Sequence, residues 1–239
     1  STEGAVHEFT IPTHIFHRIQ QAATTHQAST FMVLHASLAV LLNKLGAGHD
    51  ILIATPTAGR SDDALNDLIG FFVNTLVLRS NLTGHPTFTN LINQSRETAL
   101  DAYAHQDIPF DALVDVIAPE RSLAHTPVYQ VMLAWDNNQT PDTLTLPGLT
   151  TTTFALTTNT SRTDLTVSVS EHTTTTELAV SVEYRTDLFD PATIQQWMRM
   201  WLHLLDHMLS NPDLPIALAD TLDEPGQHQL LVDYNNTGT

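Results

Sequence analysis

The chain has 239 residues, no cysteine, and 26 acidic against 9 basic side chains, for a formal net charge of −17. Without Cys it has no disulfide, no thiolate metal site and no Cys nucleophile. With a single Lys (Lys44) and no basic stripe, it lacks the electrostatic footprint of a nucleic-acid or anionic-membrane binder. The start, "STEGAVHEFT", carries neither a basic segment nor an apolar run, so no signal peptide is expected. A reducing cytoplasm fits this composition.

"VHEFT" (6–10) alternates apolar and polar residues and predicts a strand. Ile15, Phe16 and Ile19 predict an amphipathic helix over 13–25. Ser29 or Thr30 caps a second helix, whose apolar face runs from Phe31 to Leu45 and which Gly46 stops. "DILIAT" (50–55) predicts a central strand, 56–70 a polar connection and 71–80 a longer strand. Thr87 or Thr89 opens a helix through Ala104, and Pro109 begins another over 109–118. Strands are expected over 128–136 and 149–156. The stretches 164–172 and 177–185 alternate cleanly about "TTTT" and predict an antiparallel hairpin with one solvated face. Asp190 caps a last helix, 191–210. The expectation is α/β or α+β architecture in one compact domain, a mixed sheet packed with helices.

Thirteen His residues invite a search for metal or acid–base chemistry. His203 and His207 have ligand spacing on the last helix, but no third ligand is evident and the segment reads as a core stripe. "GAGHD" (46–50) follows a helix, so it lacks the helix N-terminus that binds phosphate, and no Gly-x-Ser-x-Gly elbow occurs. "HQDIPF" (105–110) remains. Asp107 is positioned to cap the helix that Pro109 starts and Phe110 anchors, which reads as turn architecture rather than catalysis. No obvious nucleophile accompanies His105.

Four stretches, "ILIATPTAGRSDD" (51–63), "LIGFFVNTLVLRSNL" (68–82), "AHQDIPFDALVDVIAPERS" (104–122) and "PVYQVMLAWDN" (127–137), closely resemble the condensation domains of nonribosomal peptide synthetases, in order and over nearly the whole chain. The resemblance implies a fold like chloramphenicol acetyltransferase, with two α/β lobes forming a V around a tunnel. It implies a reaction in which an acceptor aminoacyl amine attacks a donor acyl thioester. It also implies partners: donor and acceptor carrier domains with phosphopantetheine arms, and a downstream adenylation domain. No cofactor is expected to bind this chain directly. The family's His-His-x-x-x-Asp-Gly motif is missing, since no two His are adjacent here. The chain therefore looks like the C-terminal lobe (1–225), with 226–239 as the start of a linker, inactive without its N-terminal lobe. "AHT" (124–126) departs from the family pattern and leaves any role of His125 or Thr126 open.

The resemblance gives Arg60 a carboxylate partner in the missing lobe; without that lobe, Arg60 is expected to be solvated or held by a local acid such as Asp62 or Asp63. Asn74 and Gln130 are candidate tunnel-lining residues, each with main-chain bonding as the other reading. His105, Gln106, Asp107, Pro109, Phe110 and Asp164 are expected to be architectural. No catalytic residue and no metal ligand is assigned. Two alternatives stand beside this reading: a non-catalytic docking module for carrier or adenylation domains, and a stand-alone acyltransferase using His105.

Overall fold

A computed structural model describes residues 2–60, 63–65, 67–117, 126–136, 148–149, 159–171, 176–222, 226 and 231–232. In chain order the strands and α-helices are β1 (Gly4–Ile11), α1 (Thr13–Thr25), α2 (Thr30–Lys44), β2 (Asp50–Thr57), β3 (Asn74–Asn81), α3 (Phe88–Ala104), α4 (Phe110–Ile117), β4 (Val131–Asp136), β5 (Leu165–Glu171), β6 (Leu178–Arg185) and α5 (Pro191–Ser210). The strands form one mixed sheet in the order β1-β6-β5-β4-β2-β3. β6 is antiparallel to both β1 and β5, while β4 runs parallel to β5 and β2.

The chain folds into two compact units. The first comprises Ser1–Phe16, Leu52–Leu78 and Ala102–Pro191; the second comprises His17–Ile51, Arg79–Asp101 and Ala192–Thr239. Each is discontinuous, which segment-by-segment reading does not reveal.

In the first unit the β5–β6 hairpin follows its alternation. Leu165, Val167 and Val169 are buried opposite Tyr184, Val182 and Val180, while Thr166, Ser168 and Ser170 lie on the half-buried face. Several boundaries move. β3 begins at Asn74 rather than 71, and α4 begins at Phe110. β4 begins at Val131 rather than 128, because Val128 takes φ 73° and the chain bends there. A β-branched side chain in the left-handed region breaks strand geometry. The strand expected over 149–156 lies outside the described residues from 150 onward, as do residues 173–175 of the hairpin turn.

In the second unit α2 is buried from Phe31 to Leu42 on all sides. Ser29 caps it: its Oγ accepts from the Met32 N–H at 3.2 Å. Gly46, at φ 95°, ends it as expected of a left-handed C-terminal position. Thr87 opens α3 by a reciprocal box, with its Oγ1 accepting from Asn90 N–H and Asn90 Oδ1 accepting from Thr87 N–H. Several polar groups of this core are paired. Trp201 Nε1 donates to Ser37 Oγ at 3.0 Å, and Ser37 donates to Leu34 O at 2.8 Å. His35 Nδ1 lies 2.8 Å from Ser95 Oγ. On the outside Arg18 pairs with the Asp206 carboxylate and donates to Ser210 Oγ at 2.7 Å.

Candidate functional site: a junction of four motifs

Residues from all four distinctive sequence stretches meet at one place in the first unit. Its centre is Asn74, the first residue of β3. Asn74 Nδ2 donates to Gln106 O at 2.8 Å and to Ile108 O at 2.7 Å. Its Oδ1 accepts from Phe110 N–H at 3.1 Å and from Thr75 N–H at 2.9 Å. One side-chain amide thus uses both donors and accepts twice, which satisfies a polar group in an otherwise apolar strand. The Phe110 N–H, in the first turn of α4, donates to Asn74 Oδ1, a capping acceptor from 36 residues upstream.

Gln106 is held twice. Its main-chain carbonyl accepts from Asn74, and its side-chain Oε1 accepts from Thr57 Oγ1, at the end of β2, at 2.8 Å. Its N–H donates to Tyr103 O, which roots it in the last turn of α3. His105 and Asp107 are exposed on the same turn, where Ile108 N–H donates to His105 O. Pro109 O accepts from Leu113 N–H inside α4. Phe110 packs edge-on against Tyr129, with ring centroids 5.4 Å apart. Tyr129 is buried, and burial pushes its phenol above the ordinary tyrosine range, opposed by a hydrogen bond with Thr75.

Arg60 lies on the loop between β2 and β3. Its guanidinium donates to Leu65 O and, at 2.9 Å, to Leu68 O, and its carbon sits 4.5 Å over the Phe72 ring. Asp62, together with the Asp63 side chain, lies outside the described residues. Gly59 precedes Arg60 at φ 63°, and a Cβ there would come within 1.7 Å of Phe72 O, so only glycine fits. The same loop exposes Leu68, Ile69, Phe71 and Val73, with Phe71 at 90% exposure.

Gln130 and Asp164 lie apart from this clamp. Gln130 is exposed and donates through Nε2 to Thr126 O at 3.2 Å, while its carbonyl accepts from the Asp164 and Leu165 N–H groups. Asp164 opens β5 and sits 3.5 Å from Arg185, which also binds Asp187 through two N–H groups. That fork holds the Asp187 carboxyl below its ordinary range. His125 lies outside the described residues. His203 sits in the second unit, 3.8 Å from Asp220. Among the described residues no cluster of three His, Cys, Asp or Glu is arranged to hold a metal. None of the described helices is long and apolar enough to cross a membrane.

Sequence reasoning missed Thr57, Phe72, Thr75 and Tyr129. Each lies inside a stretch that was singled out, but periodicity is silent about contacts between segments far apart in the chain.

The mixed sheet with its helices is the fold of solved condensation-type structures. The X-domain from teicoplanin biosynthesis superposes with a TM-score of 0.85 at 26% identity, covering 93% of this chain and 50% of that one. The chain belongs to the condensation domain family, whose model matches residues 1–231. It is 41% identical over 237 residues to the dimodular nonribosomal peptide synthase of Bacillus subtilis (strain 168), covering 97% of this chain and 10% of that protein. It is 42% identical over 216 residues to the isonitrile lipopeptide synthase of Mycobacterium tuberculosis (strain ATCC 25618 / H37Rv), covering 89% of this chain and 9% of that protein. The chain spans 10% or less of the length of these relatives.

Proposed function

We propose that this chain is the C-terminal lobe of a peptide-bond-forming condensation domain. The N-terminal lobe supplies the His-His-x-x-x-Asp-Gly motif. In the complete domain the acceptor amine attacks the donor thioester carbonyl, the C–S bond breaks, and the donor arm leaves as a thiol. The amine proton passes to a base in the other lobe. Both substrates arrive on the phosphopantetheine arms of carrier domains, so this lobe holds no cofactor of its own. Residues 1–225 form the lobe and 226–239 lead towards an adenylation domain, in a cytoplasmic multidomain enzyme.

The observation that carries the reading is the junction. The motifs that mark the family converge on it, and the loop they close bears Arg60 beside exposed apolar side chains. Exposed Ile69 and Phe71 on one loop suit a surface that another polypeptide covers. Coverage of half the solved X-domain chain agrees with a missing lobe of similar size.

The test is acyl transfer between two loaded carrier domains. The chain alone is expected to match the no-protein blank, and adding the N-terminal lobe is expected to give product. Turnover by the chain alone, abolished by His105→Ala, contradicts the reading.

A further inference from the structure

The loop 58–73 leaves the sheet after Thr57 and returns to it at Asn74, and both of these flanking residues are bound by Gln106. Thr57 Oγ1 donates to the Gln106 side-chain oxygen, and Asn74 Nδ2 donates to the Gln106 main-chain oxygen, each at 2.8 Å. Gln106 in turn is anchored to the end of α3 through Tyr103 O. Inside the loop, Gly59 lies tight against Phe72 O, and Arg60 is held over the Phe72 ring and by the carbonyls of Leu65 and Leu68. A loop whose ends are fixed by one residue explores fewer arrangements than one whose ends move separately.

We propose that Gln106 is a positioning residue: by pinning both ends of the loop 58–73 it holds Arg60 where a carboxylate of the other lobe meets it. This rests on the two-lobed reading above. The two pins are chemically separable. Replacing the Gln106 side chain removes only the tie to Thr57, because the tie to Asn74 uses the main chain. Thr57 needs only an acceptor, so Gln106→Glu keeps the tie that Gln106→Leu removes. Thr57→Val removes the same tie from the other side with little change of volume.

Two measurements test this. The first is amide exchange of residues 67–73 in the 239-residue chain. Gln106→Leu and Thr57→Val are expected to speed it, and Gln106→Glu to leave it near wild type. The second is condensation by the complete two-lobed domain, below the unfolding transition of every variant. Gln106→Leu and Thr57→Val are each expected to lower kcat about tenfold with KM unchanged, as misplacement of a positioning group does. The double variant is expected to be no worse than either single one, because both remove one bond. Rescue by Gln106→Glu separates positioning from loss of fold. Unchanged exchange in Gln106→Leu overturns the pin. Faster exchange with an unchanged kcat overturns the positioning role, as does a Gln106→Glu variant as impaired as Gln106→Leu. If the wild-type two-lobed domain forms no peptide bond, the functional reading fails, and exchange alone decides whether Gln106 pins the loop.

Discussion

In the helical unit, buried polar side chains meet one another: Trp201 with Ser37 and His35 with Ser95, all on helices and sealed by α2. In the sheet unit, the polar side chains of the junction mostly meet main-chain groups, and they do so where loops enter and leave the sheet. The first arrangement satisfies groups that burial would otherwise penalise, and its partners are fixed by helix packing. The second fixes the path of segments with no repeating structure of their own. Pairs of the first kind stabilise; a clamp of the second kind orients.

The strongest challenge to this contrast is Trp201→Ala. Trp201 is fully buried, and removing a buried Trp costs about 3–5 kcal/mol. Denaturant unfolding should show a loss of that size, with the junction's amide exchange following the global transition. Asn74→Ala should cost less, about 1–2 kcal/mol, the range for a lost helix cap and its companion bonds. Its signature is local: exchange of the Phe110 amide should accelerate more than that of α2. A loss as large as that of Trp201→Ala would make the clamp part of the global core and dissolve the distinction.

Tyr129→Phe sharpens the comparison at high pH. The folded-state pKa of this phenol is raised by burial, so the protonated form is favoured by folding. That contribution is complete below the ordinary tyrosine value of about 10 and is lost as pH rises through the raised folded value. The wild type should therefore lose stability on an alkaline limb that Tyr129→Phe shortens. Tyr103, raised likewise, keeps part of that limb. Thermal melts across this pH range read both effects.

Much of the fold was legible. Apolar spacing gave α1, α2, α3 and α5 to within a residue or two, and alternation gave the β5–β6 hairpin. Those signals are local and repeat along the chain. The start of β4 was misread because nothing in "PVYQV" announces that Val128 adopts a left-handed conformation. Local rules look for caps next door, so they did not find Asn74, which accepts from the Phe110 N–H of α4 from another strand. For the same reason Gln106 was read as architectural without its partner: the bond to Thr57 spans 49 residues. The motifs themselves marked the right stretches. Which atoms of one stretch touch which atoms of another is set by the sheet order, and the sequence pattern does not encode that order in any readable form.

The central claim is that the junction presents Arg60 to a second lobe. A double-mutant cycle between Arg60→Ala and Ala replacement of the Asp of the His-His-x-x-x-Asp-Gly motif, in the complete domain, tests it most directly. For groups in contact the coupling should fall at about 0.5–3 kcal/mol in stability or transition-state energy. In the 239-residue chain alone, Arg60→Ala should lack any such coupled term. A coupling indistinguishable from zero in the complete domain would contradict the account, whatever the single substitutions do.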